Sequence, residues 1–436
     1  MLQEITLKNF KLFEEVTIKP GLITVLIGPN GSGKSSIFQA LGLMKQSRGR
    51  NPLKFDGPLV FGEFSDFLHR SDEFGLPEKE ITFKLNVPIT QPIGSFFPSK
   101  GKFLYEASFR EKGMVNHKAS VFTEDGGLFI EGASGYLTSK NIAMGTPSPE
   151  WFPVEPIPNI EVSVQFQTNH YFAKPFRIRD RRGAEETEYE TSAERFCNIV
   201  FDALDQIYIV PALRGFEQLT HKLLPDRIVQ TDLLEWTSYQ QRAEAVATIL
   251  LQNNQIREKV KHWVENVTNR GIDHKSSSDY HVAIESSKGE DRFNAVHEGF
   301  GTNQLFYLFT QVALAPAESL LCIDEPEIHL HPKAQNSLTS VLVDIAADTK
   351  KPKRLILSTH SEHILMALLT LVAEDRLKPQ DLAVYYFQRT EDEIDTTVEF
   401  LEVNDNGQIK GGLGGFFGTD EEANRYVKAL FKKAKA

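Results

Sequence analysis

The chain has 436 residues, with 41% hydrophobic and 25% charged side chains, the balance of a globular fold long enough for one large domain or two to three ordinary ones. Its 48 Lys and Arg against 59 Asp and Glu leave a net charge of −11, which excludes a general nucleic-acid coat but leaves room for a local basic face. Cys197 and Cys322 stand far apart and in no CxxC, which excludes a cysteine-zinc site and fits a reducing cytoplasm; no apolar run reaches the ~18 residues of a membrane span, and Met1-Leu2-Gln3-Glu4 opens no signal peptide.

Residues 2–27 read as strands: Ile5, Leu7 and Phe10, then Leu12, Phe13, Val16 and Ile18, with Gly21 turning into the apolar run Leu22 to Ile27. Gly28-Pro29-Asn30-Gly31-Ser32-Gly33-Lys34-Ser35 follows, and Ser36 to Leu41 continue as a helix. Strand, glycine-rich loop and helix with G-x-x-x-x-G-K-S spacing make a P-loop. Its glycines let the backbone N–H groups of Asn30, Gly31, Ser32, Gly33, Lys34, Ser35 and Ser36 turn toward phosphates, and the helix N-terminus adds partial positive charge. The motif predicts ATP as ligand, with Lys34 reaching its β- and γ-phosphates and the Ser35 hydroxyl ligating Mg²⁺.

Residues 48–80 are rich in Gly, Pro, Asp and Phe, and 81–200 alternate apolar segments such as Ile81 to Leu85 and Phe103 to Tyr105 with breaks at Gly, Pro and Ser. Within them Arg177, Arg179, Arg181 and Arg182 form a local basic run, a candidate contact for phosphate or an acidic partner and equally a solvated loop. Residues 192–268 turn helical, interrupted by a strand at Ile207 to Val210; the stretch Leu233 to Val267 is periodic without a sustained heptad seam. His281 to Ile284 is a short strand, and Gly299-Phe300-Gly301-Thr302-Asn303-Gln304 opens a helix with Leu305, Leu308, Phe309 and Val312 on one face.

The apolar strand Leu320 to Ile323 ends in Asp324-Glu325, the Walker B arrangement. Paired carboxylates at such a strand end are costly without a cation, so Asp324 is expected to hold Mg²⁺ and Glu325 to orient and deprotonate the attacking water. His329 and His331 lack a third ligand for zinc. Leu355 to Thr359 is a strand, followed by His360 and a helix capped by Ser361. Strands at Leu382 to Phe387 and Val398 to Leu401, a turn at Asn406-Gly407, the run Gly414 to Phe417 and a final helix with a capping box from Thr419 to Glu422 complete the chain.

Several of these phrases resemble the ABC-type P-loop ATPase heads of the RecF, SMC and OLD group. Leu7-Lys8-Asn9-Phe10-Lys11-Leu12-Phe13 is similar to their opening, where the residue at Lys11 lies near the nucleotide. The Gly299 to Gln304 loop occupies the slot of the signature motif, without the LSGGQ wording, and the resemblance implies that Gly299, Gly301 and Gln304 meet the γ-phosphate held by a second copy. Glu325-Pro326-Glu327-Ile328-His329-Leu330-His331-Pro332 and Ser358-Thr359-His360-Ser361 resemble the group's segment near the dimer interface and its switch strand, which makes His360 a γ-phosphate sensor. These heads carry a glutamine in a loop near residues 61–67, and Phe61-Gly62-Glu63-Phe64-Ser65-Asp66-Phe67 has none, so that residue stays unassigned. The resemblance covers about 1–80 and 290–425.

The resemblance implies an α/β ABC-type head in two pieces, 1–85 and 271–436, around a β-rich insertion at 86–191 and a helical lobe at 192–270. It also implies ATP between two copies in a homodimer or larger homo-oligomer, and a role as a cytoplasmic nucleotide-dependent switch or sensor. OLD nucleases carry a Toprim domain after the switch strand, and the residues beyond Thr359 are too few for one, which points to a separately encoded nuclease or toxin in phage defence. A RecF-like repair ATPase clamping DNA is the alternative; transporter subunits, which carry LSGGQ, are a third class.

Overall fold

The computed structural model describes residues 1–47, 53–55, 62–69, 80–89, 100–111, 113–126, 128–135, 152–153, 160–163, 177–180, 199–224, 239–278, 281–389 and 395–410. The side chains of Arg177 and Arg179, together with Arg181, Arg182, Cys197, the Gly414 to Phe417 run and the Thr419 to Glu422 capping box, fall outside that description.

The centre is a six-stranded sheet ordered β11 (Ile207–Val210), β16 (Leu320–Asp324), β17 (Arg354–Thr359), β3 (Ile23–Ile27), β18 (Leu382–Gln388) and β19 (Thr397–Leu401). All neighbours are parallel except the closing pair β18 and β19. Its inner strands are near-continuous runs of Ile, Leu and Val because both faces are covered, and every residue of β3 is buried. Side chains alternate between the two faces: Leu26 joins one core with Cys322 and Ile356, whereas Ile23, Val25 and Ile27 join the other.

Helix α1 (Lys34–Gln46) covers the first face, and Ile37, Leu41 and Met44 bury against it. The second face is packed by α4 (Phe300–Leu314), α5 (Pro332–Ala346) and α6 (Glu362–Ala373), backed by α2 (Tyr239–Gln252) and α3 (Asn254–Thr268). The periodic stretch that ends at Val267 is therefore two helices in its described part. Asn253 breaks it by leaving helical backbone and accepting the Ile256 N–H at 3.0 Å as the cap of α3.

A second, antiparallel sheet runs β2 (Phe13–Ile18), β1 (Glu4–Phe10), β4 (Ile81–Ile89), β5 (Gly101–Arg110), β6 (Gly113–Thr123), β7 (Leu128–Gly135) and β8 (Phe152–Pro153). β4 bonds to β1 on one side and to β5 on the other, so the strands beyond residue 86 extend the sheet begun at the N-terminus. β9 (Ile160–Ser163) and β10 (Arg177–Asp180) pair with each other. A small sheet of β12 (His221–Lys222), β14 (His281–Lys288), β13 (Gly271–Ser278) and β15 (Asp291–Asn294) leads into α4. β11 is the strand expected to interrupt the helical stretch, and it forms an edge of the central sheet beside β16.

Candidate nucleotide site

The C-terminal ends of β3, β16 and β17 lie side by side, with Ile27 opposite Thr359 and Asp324 opposite Ser358. That register gathers the P-loop, the Asp324-Glu325 pair and the His360 turn at one edge. The loop between β3 and α1 needs its glycines. Gly28 has φ 151° and Gly33 φ 93°; a Cβ would come within 2.3 Å of the Phe387 carbonyl oxygen at the first and 2.8 Å of the Phe13 ring at the second.

Lys34 donates to the carbonyls of Gly28 at 2.9 Å and Pro29 at 2.8 Å, with the Ser32 hydroxyl at 3.5 Å. Burial lowers its pKa, and the carboxylates of Glu325, Asp324 and Glu327 push the other way. Ser35 Oγ donates to Asp324 Oδ1 at 3.0 Å, across most of the chain, and Ser358 Oγ bonds to the same oxygen. A hydroxyl and a carboxylate oxygen meeting at a strand end are hard donors suited to Mg²⁺. An open groove of about 650 Å³ adjoins them, lined among others by Asn30, Gly31, Gly33, Ser35, Ser36 and Glu325. That volume lies within the usual range for a small-molecule pocket, roughly 300–1,000 Å³. Ser32 is buried beneath the loop.

Glu325 sits at φ 45°, sparsely populated for a residue with a side chain, and its N–H donates to the Ser358 carbonyl at 3.0 Å. His360 Nδ1 lies 3.9 Å from both Glu325 Oε1 and Glu327 Oε1. Glu327, which the sequence reading left without a role, is buried; it accepts from the Thr359 hydroxyl and, at 3.4 Å, from the His360 N–H. Burial raises its carboxyl pKa.

Lys11 lines the groove, donates to Gln39 Oε1 at 2.6 Å and lies 4.5 Å from the Phe67 ring centroid. Burial lowers its pKa, with Asp66 opposing. Asp66 also lines the groove, while Gln39 reaches it from α1 and Arg389 from the end of β18. Neither Gln39 nor Arg389 is marked by a motif.

The signature-slot residues lie elsewhere. Gly299 caps α4 without a side chain, and Phe300 is partly exposed against the His329 ring. Gly301 is pressed on the following turn: a Cβ there would lie 2.5 Å from the His329 carbonyl oxygen. Gln304 is fully buried. Its Oε1 accepts from Arg214 Nε at 2.6 Å, and its Nε2 donates to the Ile328 carbonyl at 3.2 Å. Both ends of its amide are thus engaged inside the chain. His331 caps α5, accepting the Lys333 N–H at 3.3 Å, so its imidazole serves the backbone.

Arg214, which belongs to no motif, also reaches this site. It is 1% exposed, and its guanidinium donates to the carbonyls of Asp324 and Glu325, each at 2.8 Å. Burial lowers its pKa to about 10, which leaves it charged at neutral pH. The only signal was an arginine directly after an apolar strand.

Residues 23–367 match the family described as "AAA domain, putative AbiEii toxin, Type IV TA system". The chain is 42% identical over 74 residues to the DNA replication and repair protein RecF of Chlorobium phaeobacteroides, covering 15% of this chain and 20% of that protein. It is 39% identical over 44 residues to the OLD nuclease of Thermus scotoductus, covering 10% of this chain and 8% of that one. The chain thus spans a fifth or less of the length of these relatives. Among solved structures, an SMC head bound to the C-terminal winged-helix domain of ScpA superposes with a TM-score of 0.52 at 13% identity, covering 93% of this chain and 98% of that one, which is a likeness of fold. Among the described residues no helix is long and apolar enough to cross a membrane. The chain belongs to this AAA-domain family, has the fold of an SMC-type P-loop head and shares short stretches with RecF and OLD proteins.

Proposed function

We propose that the chain binds Mg²⁺-ATP in the groove and hydrolyses it, as a nucleotide-dependent switch between assembly states of a homodimer or larger homo-oligomer. The observation that carries the reading is the 3.0 Å contact between Ser35 Oγ and Asp324 Oδ1, which joins the P-loop to the carboxylate strand. When bound, Mg²⁺ supplies charge stabilisation for the phosphates. Ser35 and Asp324 would hold the ion, and Lys34, which bonds to loop carbonyls here, would reach the β- and γ-phosphates. The N–H groups of Asn30 to Ser36 cradle the phosphates, with Lys11 beside them. Glu325 takes the proton of the attacking water, and His360 beside it orients the reacting groups.

Glu325→Gln tests this. The variant is expected to bind ATP while turning it over at least ~100-fold more slowly, and to persist in the ATP-bound assembly on size exclusion. Turnover near that of the unaltered chain would assign the water to another group.

The role we infer is that of a cytoplasmic sensor in anti-phage defence, acting with a separately encoded nuclease or toxin. The family description, which names a toxin and a type IV toxin–antitoxin system, supports it. A second reading, ATP-dependent clamping of DNA, is favoured by the identity with RecF. Salt-sensitive DNA binding by the purified chain supports the second, and recovery of a nuclease or toxin with the Glu325→Gln protein supports the first. Metal-dependent DNA cleavage by the chain alone, unaffected by Glu325→Gln, would defeat both.

A further inference from the structure

Arg214 follows β11 and carries its charge into the core between β16 and α4. A buried guanidinium is costly unless its donors are satisfied, and an apolar side chain of similar volume would often serve stability as well. Here Nε donates to Gln304 Oε1 at 2.6 Å, Nη1 to the Pro211 and Asp324 carbonyls at 2.8 Å each, and Nη2 to the Glu325 carbonyl at 2.8 Å. The Asp324 and Glu325 carbonyls belong to the residues assigned to the metal and the water. Fixing their peptide planes fixes the direction in which the Glu325 side chain leaves the backbone, and Glu325 is the residue held at φ 45°.

Gln304 adds the second half of the relay. It sits one helical turn from Phe300, at the partly exposed start of α4, and also bonds to the Ile328 carbonyl beyond the acidic pair. Arg214 and Gln304 therefore tie the first turns of α4 to the backbone on both sides of Pro326.

We propose that Arg214 is a positioning residue that ties the first turns of α4 to the backbone of Glu325 and so holds in place the group that activates water. The coupling rests on the hydrolysis reading above. It is a relay of hydrogen bonds within one chain and needs no phosphate contact from Gln304.

The test uses the full chain with Arg214→Lys, Gln304→Met and the double variant, each measured for ATP affinity and turnover. Lysine keeps the charge but cannot span the forked set of acceptors. Arg214→Lys is expected to keep ATP affinity within about threefold while kcat falls at least ~10-fold. Gln304→Met, which leaves the Arg214 bonds to the Asp324 and Glu325 carbonyls in place, should lower kcat less, and the double variant should be no slower than Arg214→Lys alone. Turnover within about twofold of the unaltered chain in Arg214→Lys, additive losses in the double variant, or parallel loss of affinity and turnover would each overturn the coupling. Should Arg214→Lys fail to fold, unchanged kcat in a folded Gln304→Met protein overturns it. An unaltered chain that binds ATP without hydrolysing it would defeat the hydrolysis reading itself, and the coupling with it.

Discussion

Lys34, Ser35, Asp324, Glu325 and His360 converge because three parallel strands end together, and each reaches that edge from a short motif. Away from it, His221 lies buried against the Phe216 ring, and burial lowers its pKa to about 4. The folded state thus holds the imidazole neutral where the unfolded chain would charge it. Its contribution to stability is fully present above the unfolded value of about 6.5 and is lost as pH falls through about 4. Thermal melting from pH 8 to 4 should show a drop in Tm below pH ~6.5 that is shallower in His221→Phe. An identical profile in the two proteins would place the acid sensitivity elsewhere. The motif residues were legible in the sequence because P-loop and Walker B chemistry depends on contiguous side chains at fixed spacing. Arg214 was not, because most of its acceptors are backbone carbonyls, which leave no mark on residue identity.

At the scale of elements, helix starts were readable and sheet partners were not. Ser361 accepts the Ile364 N–H at 3.3 Å as the cap of α6, as its position before an apolar periodic run suggested. Ser361→Ala should cost about 1 kcal/mol in denaturant unfolding, a loss typical of a missing cap. The sequence reading set strands beyond residue 86 apart from the N-terminal ones, whereas the ladder runs from β1 through β4 into β5. Alternation of apolar residues marks a strand but does not name its neighbour. The same holds for β11, four residues whose partner β16 lies over a hundred positions later. Gly301 offers an element-level test. A methyl there forces α4 from the His329 turn, so Gly301→Ala should lower both Tm and turnover while leaving the P-loop able to bind ATP. Wild-type turnover would show that the turn yields without disturbing the acidic pair.

At the scale of the molecule, an acidic chain carries a locally basic run, which confines any contact with nucleic acid or an acidic partner to a patch. Replacing Arg177, Arg179, Arg181 and Arg182 by Glu should weaken binding of DNA or of the effector while leaving ATP turnover intact. Equal binding would remove that run from the interaction surface.

Lys34, Ser35 and Asp324 are proposed to form one site for Mg²⁺-ATP. Calorimetric titration of ATP into the purified chain, with Mg²⁺ and with EDTA, tests it most directly when repeated on Lys34→Ala. Saturable binding that is tighter with Mg²⁺ and is abolished in Lys34→Ala is expected. Lys34→Ala binding ATP as tightly as the unaltered chain would contradict it.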